Sequence, residues 1–155
     1  MHIFLYGPSG SGKSTIGKQL AENLKLSFVD LDRVIESSAG MTIPQIMDTQ
    51  GEAAFRDLES AALKNLGDEK ESVIALGGGA LFREENRAVA EKNGQVILLA
   101  ASRSTLLERL KSDPEKRPLL AGDLETKLSA VFLLYCSPYG NRTRVSSVKG
   151  TRPNP

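Results

Sequence analysis

Short apolar runs at Ile3–Tyr6, Ser27–Val29, Val73–Leu76 and Val96–Ala100 alternate with longer stretches in which apolar residues recur every three or four positions. Runs this short, separated by segments of helical period, predict parallel strands covered by helices on both faces. The expected fold class is therefore α/β. After the first run, Ile16, Leu20 and Leu24 recur at four-residue spacing, and Phe55, Leu58, Ala62 and Leu66 form a similar stripe after Gly51. Both predict amphipathic helices. A third stripe, Leu106, Leu107 and Leu110, runs into Ser112-Asp113-Pro114-Glu115-Lys116-Arg117-Pro118. Two prolines and several charges break a helix there and predict an exposed loop over about residues 112–122. Helical period resumes at Leu124, Leu128, Val131 and Tyr135, and from Cys136 onward the composition turns to Ser, Pro, Gly, Asn, Thr and Arg. The expected organisation is one domain over 1–135 and an atypical, disordered tail over 136–155.

Between the first strand and the first helix stands Gly7-Pro8-Ser9-Gly10-Ser11-Gly12-Lys13-Ser14, which fits the pattern G-x-x-x-x-G-K-[ST]. Strand-to-helix context turns that pattern into a structural expectation. Glycines let the backbone curl so that successive N–H groups point at phosphates, and the positive end of the following helix adds a favourable field. Gly10, Ser11, Gly12, Lys13, Ser14 and Thr15 are the expected nucleotide-binding residues. Lys13 is expected to reach the β- and γ-phosphates of ATP, and the Ser14 hydroxyl to ligate Mg²⁺. The competing reading is a glycine-rich turn with a surface lysine.

Several kinase and GTPase families share this loop, so the rest of the chain must choose among them. No Asn-Lys-x-Asp or Thr-Lys-x-Asp occurs to read guanine. The second strand ends in Asp30-Leu31-Asp32, two acids at the carboxyl edge of a parallel sheet, where such sheets hold ligands. One can serve the metal and the other a substrate hydroxyl; alternatively the pair is a helix N-cap and a first-turn acid ahead of Arg33-Val34-Ile35-Glu36. Arg56 and Glu59 lie with Glu52 along the rim of the Phe55 stripe. An arginine at a rim can grip a carboxylate, with a glutamate three residues on to hold it; it can equally be a surface ion pair. Gly77-Gly78-Gly79 after the third strand lets backbone approach a ligand closely, or simply turns the chain.

Bulk properties narrow the partners. With 155 residues, 40% hydrophobic and 25% charged, the chain has the composition of an ordinary globular domain. A net charge of +1 and the lack of a basic stretch interleaved with aromatics argue against nucleic acid, so a small molecule is the expected partner. One cysteine, Cys136, excludes an internal disulfide, and no apolar run approaches the roughly 20 residues of a membrane span. A cytoplasmic location, no membrane and a monomer are expected. Four of the last twenty residues are basic, Arg142, Arg144, Lys149 and Arg152, and none is acidic, which sets the tail apart from the body.

Taken together, these residues resemble the shikimate kinase family from about Ile3 to Leu128. Phe28-Val29-Asp30-Leu31-Asp32-x-x-Ile35-Glu36, Gly51-Glu52-x-x-Phe55-Arg56-x-x-Glu59, Gly77-Gly78-Gly79 and Arg117-Pro118-Leu119-Leu120 all follow the family's order and spacing. The resemblance implies a three-layer α/β/α P-loop kinase fold like that of nucleoside monophosphate kinases, and phosphorylation of the 3-hydroxyl of shikimate by ATP with Mg²⁺. It implies that Asp32, Arg56 and Gly77–Gly79 hold shikimate, that Asp30 acts on Mg²⁺ through water, that Arg109 stacks near adenine and that Arg117 is the lid arginine. Lys13, Asp32 and Arg117 become the expected catalytic set.

The family pattern is departed from beyond the lid. A second carboxylate-gripping arginine is expected around Leu133–Cys136, where the chain reads Leu133-Leu134-Tyr135-Cys136, and no strand-like run follows. The last strand and helix are therefore expected to be missing, the end having been replaced near Ala130. Two rival readings remain: another small-metabolite kinase of this fold, such as a gluconate kinase, and a non-catalytic ATP-binding module, fused or docked to an aromatic-pathway enzyme.

Overall fold

A computed structural model describes residues 1–99. The loop at 112–122, Arg109, Arg117, the end of the domain at 135 and the tail all lie outside the described residues.

The elements run β1 (His2–Tyr6), α1 (Lys13–Leu24), β2 (Ser27–Asp30), α2 (Leu31–Ala39), α3 (Ile43–Gly67), β3 (Ser72–Ala75), a 3₁₀ turn (Ala80–Phe82), α4 (Glu84–Asn93) and β4 (Gly94–Leu98). All four expected strands are present within a residue or two of their apolar runs. They form one parallel sheet in the order β2-β3-β1-β4, with Ile3 opposite Val73 on one side and Gln95 on the other. Because every strand points the same way, the loops that follow β1, β2 and β3 all emerge at one edge, which is what brings distant motifs together.

Alternation along β1 divides the core in two. Phe4 and Tyr6 pack with Leu31, Ile35, Ile46, Phe55, Leu63 and Ile74 under α2, α3 and α4, while Leu5 packs with Ala21 and Val73 under α1. The three expected layers follow directly.

Helix α1 meets the sheet differently from the expected stripe. Gly17 and Ala21 are its buried residues, Ile16 and Leu20 are half-buried, and Leu24 is 47% exposed. A Cβ on Gly17 would stand 2.5 Å from the Phe28 ring, so the helix sits too close to the sheet for a larger residue there. Helix α3 is two helical segments joined at Gly51, whose φ of 85° and ψ of 171° break the helical path. Its first segment opens with a capping box, in which Thr42 Oγ1 accepts from Gln45 N and Gln45 Oε1 accepts from Thr42 N.

Candidate active site

The phosphate end is built almost wholly of backbone. Gly7, Gly10 and Gly12 all have positive φ, 150°, 80° and 93°, which curls the loop between β1 and α1. A Cβ on Gly7 would lie 2.5 Å from the Leu99 carbonyl oxygen, where β4 runs past, so glycine is required on space as well as on φ. Gly12 is the N-cap of α1, and its carbonyl accepts from Ile16 N at 2.9 Å. Lys13 Nζ donates to the carbonyls of Gly7 at 2.7 Å and Pro8 at 3.0 Å, which holds the ammonium over the loop. Ser11 is buried: its N–H donates to Pro8 O at 3.1 Å, and its hydroxyl has no hydrogen-bond partner among the described residues. Ser14 and Thr15 are exposed on the first turn of α1.

Asp30 and Asp32 are the N-cap and first-turn acid of α2. Asp30 is the N-cap of α2, accepting Asp32 N–H on Oδ1 at 3.2 Å, and its other oxygen accepts the Ser14 hydroxyl at 3.1 Å. The carboxylate thus ties β2 to the start of α1. A hydroxyl and a carboxylate oxygen side by side form a hard donor set suited to a hydrated Mg²⁺. No group of three or more His, Cys, Asp or Glu that could hold a metal occurs among the described residues. Such a two-oxygen set fits an ion carried mainly by phosphates and water rather than by a protein cage.

The Arg56 end is built of side chains from two helices, closed over by backbone from a third element. Arg56 on α3 donates from Nη1 to Glu59 Oε2 at 2.9 Å and from Nη2 to Glu52 Oε1 at 3.3 Å. Phe55 lies beneath the guanidinium, its ring centroid 5.1 Å from Cζ. Backbone closes in from the loop after β3: a Cβ on Gly79 would stand 2.7 Å from both Arg56 Nη atoms. A Cβ on Gly77 would stand 2.7 Å from Glu59 Oε1 and 2.9 Å from Asp32 Oδ1, so these two carboxylates converge on one backbone atom. Glycine at 77 and 79 leaves room for the side chains of Glu59, Asp32 and Arg56.

Sequence reasoning placed Glu59 on a rim; the structure buries it, at 1% exposure. The inward line of this helix is Phe55, Glu59, Leu63 and Leu66, with Leu58 and Ala62 at its margin. Burial pushes the Glu59 carboxyl above its ordinary value of 4.5; the Arg56 cation opposes that shift, and the Asp32 charge adds to it. Arg83, at the N-cap of α4, donates to Asp57 Oδ1 at 2.7 Å and so ties α4 to the outer face of α3.

The structure therefore brings the Gly7–Ser14 loop, Asp30, Asp32, Arg56 and Gly77–Gly79 to one edge of the sheet, and leaves Arg109 and Arg117 outside the described residues. Arg83, which braces α3, was missed because an isolated arginine after a turn carries no pattern. Among the described residues no helix is long and apolar enough to cross a membrane.

Comparison with known proteins bears on the same residues. The family model described as shikimate kinase matches residues 9–148, past Leu128 where the motif resemblance stops. A shikimate kinase of Salinibacter ruber is 44% identical over 128 residues, 83% of this chain and 63% of that protein. One of Francisella tularensis subsp. holarctica is 46% identical over 123 residues, 79% of this chain and 69% of its own. The chain thus spans under two thirds of the first relative and slightly more of the second. Among solved structures, the shikimate kinase of Acinetobacter baumannii in complex with shikimate superposes with a TM-score of 0.89 at 35% identity, covering 98% of this chain and 84% of that one. The enzyme from Aquifex aeolicus gives 0.82 at 35% identity, covering 99% and 89%. A gluconokinase of Sinorhizobium meliloti gives 0.61 at 21% identity, covering 97% and 83%, a likeness of fold alone. With a family model matched along most of its length and a P-loop, an Asp-x-Asp pair and an Arg–Glu pair at one edge of the sheet, the chain belongs to the shikimate kinase family.

Proposed function

We propose that this chain transfers the γ-phosphoryl group of ATP to the 3-hydroxyl of shikimate. The observation that carries the reading is the placement of a phosphate-binding loop and an Arg56 clamp at the same sheet edge with Asp32 between them in the chain. A substrate with an acid at one end and a hydroxyl at the other fits that order. Arg56, held by Glu59, grips the carboxylate in a planar fork. Gly77–Gly79 let backbone reach the ring. Asp32 accepts a hydrogen bond from the attacking hydroxyl, aligns it with the phosphorus and takes its proton as the new P–O bond forms and the bond to ADP breaks. Lys13 leaves the Gly7 and Pro8 carbonyls for the β- and γ-phosphates, where its charge offsets that of the transition state. Ser14 directly, and Asp30 through water, would hold Mg²⁺, which would supply further neutralisation of the phosphates. Arg109 beside adenine and Arg117 on a closing lid over about 112–122 complete the site in this reading.

A monomer acting on small molecules in the cytoplasm, built from a domain over 1–135, belongs to the same reading. The experiment is a mass measurement of the acceptor after incubation of the full chain with ATP, Mg²⁺ and either shikimate or gluconate. A gain of one phosphate on shikimate alone supports the reading. Phosphorylation of gluconate would replace it with the rival kinase, and nucleotide binding with no transfer would leave a binding module.

A further inference from the structure

Arg56 is held between two carboxylates that are unequal. Glu59 lies 2.9 Å from Nη1 and its side chain is 1% exposed; Glu52 lies 3.3 Å from Nη2 and its side chain is 60% exposed. A Cβ on Gly79 would stand 2.7 Å from both terminal nitrogens and the Phe55 ring lies under Cζ, so of the groups around the guanidinium Glu52 is the exposed one. Glu59 cannot yield without leaving a buried charge unpaired, whereas an exposed ion pair costs little to break. Glu52 also follows directly on the break at Gly51, at the start of a new helical segment, from which its side chain can swing into solvent.

We propose that Glu52 holds the place on Arg56 that the acceptor's carboxylate takes, so that the acid binds by exchanging one carboxylate for another. This inference rests on the reading of the acceptor as shikimate. Glu52 then keeps the fork oriented and neutralised, and it sets a threshold: an acid must bring further contacts at Asp32 and Gly77–Gly79 to displace it. Small anions that bind through a carboxylate alone are refused. Once displaced, Glu52 remains near the bound acid as a like charge, which lowers affinity.

The test is calorimetric titration of shikimate, and of its analogue with the carboxylate reduced to a primary alcohol, into the full chain with ADP and Mg²⁺ present. Wild type is compared with Glu52→Gln and Glu52→Ala. Removing an exposed competitor of this kind predicts shikimate binding tighter by about two- to fivefold in both variants, with no change for the alcohol. In turnover, KM for shikimate falls by the same factor. Unchanged or weaker shikimate binding in the variants would overturn the exchange and make Glu52 a simple orienting partner. Equal tightening for the alcohol would assign the effect to sterics. Failure of wild type to bind shikimate would overturn the function itself, and with it this inference.

Discussion

The two ends of the cleft are made by different means. At the phosphate end, positive-φ glycines aim backbone groups, and the Lys13 side chain rests on carbonyls of its own loop. At the acid end, Asp32, Arg56 and Glu59 come from two helices and are pressed against glycine backbone from a third element. The first end is local in sequence. The second exists only when the sheet has assembled, and it stores a buried carboxylate that little but its arginine partner makes tolerable.

Three substitutions would break or sharpen that contrast. Lys13→Ala has the largest expected effect: turnover falls by about 10²–10³-fold, the usual loss when one group that stabilises transition-state charge is removed, while shikimate affinity holds. Steady-state kinetics beside a shikimate titration checks both halves. Gly79→Ala comes next. Its methyl group would lie 2.7 Å from Arg56 Nη1 and Nη2, and the flexible guanidinium moves aside rather than the backbone. Shikimate affinity is expected to drop about tenfold, near 1.4 kcal/mol, with nucleotide affinity little changed. The smallest effect is the pH dependence carried by Glu59. Because its carboxyl keeps a proton in the folded state above its ordinary value of 4.5, the folded chain binds more protons than the unfolded one as pH rises through that range. Stability therefore falls with rising pH from about 4.5 up through the raised value. Glu59→Gln removes that component, so the stability of the Gln variant relative to wild type should climb across the same window; urea titrations at a series of pH values would show it.

The same contrast explains what could be read from the sequence. The Gly7–Ser14 loop was legible because its geometry is set by residues adjacent in the chain. The strands were legible because β1 and β3 are buried on both faces and carry unbroken apolar runs. Leu24 was misplaced, since a close helix-to-sheet approach is made by Gly17, a residue that hydrophobic periodicity does not count. Glu59 was misplaced for a related reason: a carboxylate on the inward line of α3 reads as polar, and its depth depends on Gly77 and Asp32, far away in the chain. Helix α4 was not anticipated. Its buried residues are Ala90 and Asn86, and the latter is held in by a 2.7 Å bond from its side chain to Ala80 O, which leaves almost no apolar stripe.

The most direct test of the two-ended cleft is a crossed binding titration of ATP analogue and shikimate, each measured separately against wild type, Lys13→Ala and Gly79→Ala. The account predicts that Lys13→Ala weakens the nucleotide alone and Gly79→Ala the acid alone. Loss of both ligands in either variant, or loss of the acid in Lys13→Ala only, would contradict it.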